Sequence, residues 1–231
     1  MSEYPQANFL SSAHRVDQFV EDVGAEVAFA GRSNSGKSSA INAVLNRRNL
    51  ARTAKNPGRT QLINFFSLRP GQRLVDLPGY GFARVPKQLQ QHWRQLLDGY
   101  FNQRHSLAGL FVVVDSRRSL GDFDWQMLEW AARIGCSTHV LLTKSDKLSR
   151  KDGAVTLTNV RRQLRDEASV QLFSATKDRG VDKARMRLEE FLHSDRRLST
   201  TTNKPASECR WLKYPSSNCR QWRCSSLETR A

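Results

Sequence analysis

Gly31, Arg32, Ser33, Asn34, Ser35, Gly36, Lys37 and Ser38 follow a strand-like run at 26–30 and open a helix-forming stretch at 37–46. Two glycines with four residues between them, then Lys and Ser, spell the phosphate-binding pattern G-x-x-x-x-G-K-S. The glycines let the backbone curl so that its N–H groups face phosphate oxygens. Lys37 supplies positive charge to the β- and γ-phosphates, and the Ser38 hydroxyl is suited to ligate Mg²⁺. The N-terminus of the following helix adds a field that favours anions. A loop of this kind works at the C-terminal edge of a parallel sheet, which constrains the chain to an α/β fold.

The remaining sequence supplies such a sheet. Strand-like runs at 61–68 and 74–77 are joined through Arg69, Pro70 and Gly71 as a hairpin, and a helical pattern follows at 86–101. Strands at 110–114, 139–143 and 170–174 then alternate with helices at 122–134, 155–167 and 181–193. The pattern predicts a P-loop fold: a mostly parallel six-stranded sheet with helices on both faces. Residues 1–25 read as a polar lead, 26–198 as the nucleotide-binding domain, and 199–231 as a basic tail without apolar periodicity, for which disorder is expected.

P-loops take ATP as well as GTP, so the base must be read elsewhere. Asp76, Leu77, Pro78 and Gly79 form D-x-x-G at a strand end, where the Asp serves the Mg²⁺ region and the Gly amide senses the γ-phosphate. Thr143, Lys144, Ser145 and Asp146 close another strand. A carboxylate there accepts both the N1–H and the 2-amino hydrogens of guanine, while adenine offers an acceptor at N1 and no 2-amino group. The Lys144 stem can cover the ring face. Phe173, Ser174 and Ala175 end the last strand, where a backbone N–H can meet the guanine 6-oxo group. Lys37, Asp76, Asp146 and Ala175 thus occur in the order a GTP site requires, each at or just past a strand end.

The formal charge is +15; residues 199–231 carry +4 of it and residues 1–198 carry +11. Such a charge favours a polyanionic partner through counterion release, and nucleic acid is the expected class. The stretch 47–59 holds Arg47, Arg48, Arg52, Lys55 and Arg59 with no acidic residue. It is the expected RNA contact; the plainer reading is that these charges serve bound phosphate or stay solvated. No run approaches the ~18 apolar residues of a membrane span, and the N-terminus lacks a signal peptide's regions, which argues for the cytoplasm and against membrane insertion. Cys209, Cys219 and Cys224 lie in a tail without histidine or a Cys-x-x-Cys pair, so no structural zinc is expected.

Together, the P-loop 31–38 with Ser39, the segment Pro57, Gly58, Arg59, Thr60 and Gln61, the run 74–81 through Asp76 and Gly79, and the run 142–146 resemble the EngB GTPases of bacteria. The resemblance covers about residues 7–193 and does not extend to the tail. It implies GTP/GDP as the bound nucleotide, Mg²⁺ as the metal, and a role in assembling the large (50S) ribosomal subunit. Its partner would be that subunit's precursor or rRNA, and the family is also associated with cell division and septation. It further implies that Gly58, Arg59, Thr60, Gln61 and Leu62 line the nucleotide. Thr60 would be the switch threonine that joins Ser38 on Mg²⁺ when the γ-phosphate is present, and Lys37 and Thr60 would be the catalytic residues. Members usually carry Ala where Ser35 stands, a change expected to matter little.

Two other functions fit parts of the sequence: a small-molecule P-loop kinase, against which the 143–146 motif counts, and a septation scaffold with a regulatory GTP site and no direct rRNA contact. Hydrolysis is expected to be slow, because Tyr80 stands where Ras-like GTPases place a water-orienting Gln. Asn34, three residues before Lys37, occupies the position at which several related GTPases bind K⁺; alternatively it only stabilises the loop's turn.

Overall fold

Every residue of Leu107–Asp115 is buried, which requires a strand covered on both faces. In chain order the computed structural model contains β1 (Asn8–Ala13), a 3₁₀ turn (Val16–Gln18), β2 (Ala25–Gly31), α1 (Lys37–Val44), β3 (Ile63–Arg69), β4 (Gln72–Asp76), α2 (Lys87–Gln103) and β5 (Leu107–Asp115). There follow α3 (Asp122–Arg133), β6 (Ser137–Thr143), a second 3₁₀ turn (Ser145–Lys147), α4 (Arg150–Leu164), β7 (Ser169–Leu172) and α5 (Val181–His193). The structure describes residues 4–51, 62–80 and 87–194. The expected contacts of Gly58, Arg59, Thr60 and Gln61, the position Gly81, and the tail 199–231 fall outside them.

The sheet order is β1-β3-β4-β2-β5-β6-β7, parallel from β4 to β7, with β3 antiparallel to both of its neighbours. Period-two alternation divides the core: Ala28, Ala30, Leu110 and Val112 face one cluster with α2, α3 and α4, while Val27, Phe29, Phe111 and Val113 face another with α1 and α5. Phe29 and Phe111 stack at 4.6 Å beneath α5. β2 lies where the strand order reverses, with β4 on one side and β5 on the other. Its C-terminal end is therefore the crevice of the sheet.

Three elements differ from the expectations drawn from sequence. The sheet has seven strands rather than six, because part of the polar lead forms β1, paired antiparallel with β3. β1 is an edge strand, with Phe9 and Leu10 exposed and a register shift between Phe9 and Ser11. Its stability comes from the ladder, so it carries no apolar alternation to read. β5 begins at Leu107, three residues early, and passes through Gly109, where a Cβ would stand 2.3 Å from the Phe191 ring. α4 begins at Arg150 because the Ser149 hydroxyl accepts from the Asp152 N–H at 3.1 Å, an N-cap placed ahead of Gly153.

Candidate nucleotide-binding site

β2 ends at Gly31 and α1 opens at Lys37, so residues 32–36 form the loop between them. Gly36 is the N-cap with φ +95°, a conformation that favours glycine. Gly31 is needed for space: a Cβ there would lie 2.7 Å from both Ser35 Oγ and the Val113 carbonyl. Asn34 also has positive φ (62°), so it holds a left-handed position in the turn. Ser35 Oγ is buried without a hydrogen-bond partner, an arrangement that costs about 1–3 kcal/mol and that Ala would avoid.

The D-x-x-G segment lies on this loop. Leu77 N–H donates to the Phe29 carbonyl at 3.0 Å and Ser33 N–H to the Tyr80 carbonyl at 2.8 Å. A Cβ on Gly79 would come within 3.5 Å of Ser33 Cα. The Lys37 ammonium pairs with the Asp76 carboxylate, both largely buried. The P-loop cation and the strand-end carboxylate therefore share one point, and phosphate oxygens and a hard cation would compete for them respectively. Ser38 follows in the first turn of α1. Pro78 completes the turn, and Leu62 is half-buried just before β3.

The Tyr80 side chain is committed to the core. It is buried, packs against Trp93 and Phe123, and donates to Asp124 Oδ1 at 2.6 Å. Burial pushes the Asp124 carboxyl above the usual range, partly offset by that bond. A side chain so held does not orient water at the nucleotide.

The residues expected at the base lie in the loops after β6 and β7. The Thr143 hydroxyl donates to the Ser35 carbonyl and lies 3.0 Å from that of Val114, tying β6 to the P-loop. Lys144 has φ +55°, and its ammonium donates to the Asn34 carbonyl at 2.6 Å and Asp115 Oδ2 at 3.0 Å. The stem thereby runs beside Gly36, where a Cβ would lie 3.9 Å from Lys144 Cε. Ser145 is buried, and its N–H donates to the Phe173 carbonyl at 3.1 Å. The Ser174 hydroxyl donates to Asp146 Oδ1 at 2.6 Å and accepts from the Lys177 N–H at 3.2 Å. That bond, with the charge of Lys147, holds the Asp146 carboxyl below its usual range. Ala175 follows, half-buried, beside it.

Every predicted site residue among the described ones thus gathers at the C-terminal edge of the sheet. Asp115 was not among the predicted residues; it is a buried carboxylate at the end of β5 that contacts Lys144. A lone acid closing an all-apolar strand was the signal for it. A groove of about 540 Å³ on α5, lined by Met186 and its neighbours, contains none of these residues. Among the described residues no helix is long and apolar enough to cross a membrane.

The G-x-x-x-x-G-K-S loop after β2 lies against D-x-x-G, and Thr143, Lys144, Ser145 and Asp146 close β6: this is the arrangement of a P-loop GTP-binding protein. A family model described as 50S ribosome-binding GTPase matches residues 26–144. The probable GTP-binding protein EngB of Stenotrophomonas maltophilia (strain K279a) is 52% identical over 184 residues, 78% of this chain and 92% of the relative. That of Coxiella burnetii (strain CbuG_Q212) is 46% identical over 195 residues, 83% and 95% of the two chains. The chain belongs to the EngB family of GTP-binding proteins and is a GTPase. Its fold matches a crystal structure of a probable GTP-binding protein engB (TM-score 0.60, 21% identity, covering 73% of this chain and 98% of that one). It also matches Era bound to MgGDPNP and a 16S ribosomal RNA segment (0.56, 15%, covering 76% and 59%).

Proposed function

We propose that this GTPase is a cytoplasmic switch in assembly of the large ribosomal subunit: the GTP-loaded form docks on rRNA of a 50S precursor, and hydrolysis releases it. Normal cell division and septation would depend on that step. The observation that carries the reading is the family match over residues 26–144, whose description is a 50S ribosome-binding GTPase. The charge distribution is compatible with it. Arg117, Arg118, Lys147, Arg150, Lys151, Lys177 and Arg179 are exposed on the loops and helix start at the nucleotide end of the sheet. Arg48 is exposed as well, whereas the Arg47 guanidinium is drawn to the Pro5 carbonyl at 2.5 Å.

Mg²⁺ would be held by Ser38 and, with GTP, by Thr60, with Asp76 behind them; hydroxyl and carboxylate oxygens are the donor set a hard cation takes. The ion would neutralise charge developing on the phosphates. Lys37, released from Asp76 to the β- and γ-phosphates, would act on the same charge. Residues 31–38 would enclose the phosphates, 58–62 and 76–79 would sense the γ-phosphate, and 143–146 with 173–175 would hold guanine.

Co-sedimentation with 50S particles tests the reading. Binding is expected with a non-hydrolysable GTP analogue, to weaken with GDP, and to fall steeply with salt. Neutralising Arg47, Arg48 and Arg52 together should flatten the salt slope. Equal, salt-insensitive sedimentation with either nucleotide would favour a septation scaffold without rRNA contact.

A further inference from the structure

Asp115 is the last residue of β5 and lies in register with Thr143, the last of β6. Its side chain is only 6% exposed, and a buried carboxylate is tolerated only when paired. Here it accepts from Arg117 Nε at 2.9 Å, Arg117 Nη2 at 2.7 Å, the Arg117 N–H at 3.1 Å and Lys144 Nζ at 3.0 Å. Arg117 fixes the plane of the carboxylate by holding both of its oxygens, and Oδ2 also accepts from Lys144.

Lys144 needs such an anchor. Its left-handed backbone costs about 1 kcal/mol or more in a residue with a Cβ. A lysine stem also has several rotors that solvent would otherwise leave free. Asp115 and the Asn34 carbonyl hold the ammonium between β5 and the P-loop, so the methylenes form a fixed wall beside Gly36 and next to Asp146.

We infer that Asp115 is a positioning residue for nucleotide binding: it holds Lys144 in place as the wall on which the guanine face rests. This rests on the reading of 143–146 as the base site. Asp146 reads the edge of the base and sets which base is taken; Asp115, acting through Lys144, contributes to how tightly any purine of that shape is held. Preorganisation of this kind lowers the ordering cost of binding.

The test is a double-mutant cycle on nucleotide affinity, using GDP and inosine diphosphate, which lacks the 2-amino group. Asp115→Asn should weaken both nucleotides by about the same factor, roughly tenfold or 1.4 kcal/mol, and leave their ratio at the wild-type value. Lys144→Met should produce a similar loss, and the double variant should be little worse than either single one. Losses that multiply in the double variant, or an Asp115→Asn affinity within twofold of wild type, would overturn the inference. Asp146→Ala in the same series separates the two readings, since retained GDP affinity there would sink the base-site assignment itself. Should Asp115→Asn not fold, amine-labelling of the nucleotide-free wild type decides: Lys144 should react several-fold more slowly than exposed Lys147, and equal rates would refute the anchoring.

Discussion

The Ser174 hydroxyl donates to Asp146 Oδ1 at 2.6 Å, joining the loop after β7 to the loop after β6. One carboxylate oxygen is thereby oriented by the protein itself before any base is read. Asp146→Ala should nearly abolish guanine-nucleotide binding, and Asp146→Asn should relax guanine preference. Ser174→Ala should cost less, about 1 kcal/mol, because the carboxylate survives but loses its orientation. Titration with GDP and xanthosine or inosine nucleotides checks the series. GDP affinity within tenfold of wild type in Asp146→Ala would count against the guanine assignment.

Metal dependence should divide between two hydroxyls. Ser38→Ala is expected to weaken Mg²⁺ binding with both GDP and GTP, because its position in α1 does not depend on the γ-phosphate. Thr60→Ala should weaken mainly the GTP state. Mg²⁺ titrations of each variant with GDP and a GTP analogue distinguish them, and equal losses for Thr60→Ala would remove its switch role.

Tyr80 is committed to Asp124 and the aromatic cluster with Trp93 and Phe123. Intrinsic hydrolysis should accordingly be slow, and Tyr80→Phe should lower stability by about 1–3 kcal/mol, because Asp124 Oδ1 loses its donor while Oδ2 keeps the Gly121 N–H, without lowering single-turnover hydrolysis proportionately. K⁺ held by Asn34 would supply charge at the phosphates; the alternative is that Asn34, with φ +62°, only stabilises the loop's turn. On the K⁺ reading, hydrolysis in K⁺ should exceed that in Na⁺ at matched ionic strength, and Asn34→Ala should erase the difference. A rate indifferent to K⁺ would shift the source of catalysis to the ribosome.

His139 gives the protein an acid-sensitive point. Its ring is buried between Ser169 Oγ at 2.6 Å and Gln171 Oε1 at 3.1 Å, and burial lowers its pKa from 6.5 to about 4. The folded state thus favours the neutral ring. The associated stability is fully present above pH 6.5 and is lost as pH falls from there toward 4, to a limit of about 3 kcal/mol. Melting curves between pH 7.5 and 4.5 should show this slope in the wild type and a shallower one in His139→Gln. The carboxyls of Asp22 and Glu189 are held below their usual values, so their loss comes at lower pH.

What sequence could not disclose lies in contacts made at long range. A hydrophobic alternation could not reveal β1, whose residues are held by the ladder to β3 and leave Phe9 and Leu10 exposed. Nor did the helical run at 155–167 reveal that α4 opens at Arg150, where the Ser149 hydroxyl accepts from the Asp152 N–H ahead of Gly153.

The sequence alone determined the G-x-x-x-x-G-K-S, D-x-x-G and T-K-S-D motifs, their order, and the α/β class. Each is local chemistry: glycine conformational freedom, a lysine and a serine at fixed spacing, and apolar runs bounded by turns. Tertiary structure decided which groups orient those motifs. Lys144 reaches Asn34 across 110 residues of sequence, Thr143 reaches Ser35 across 108, and Asp146 meets Ser174 across 28. Such pairings depend on strand order and register, which set which loop ends meet at the sheet edge. Asp115 shows the difference most plainly: in sequence it is an acid after a run of valines, and only the pairing of β5 with β6 puts it beside Lys144.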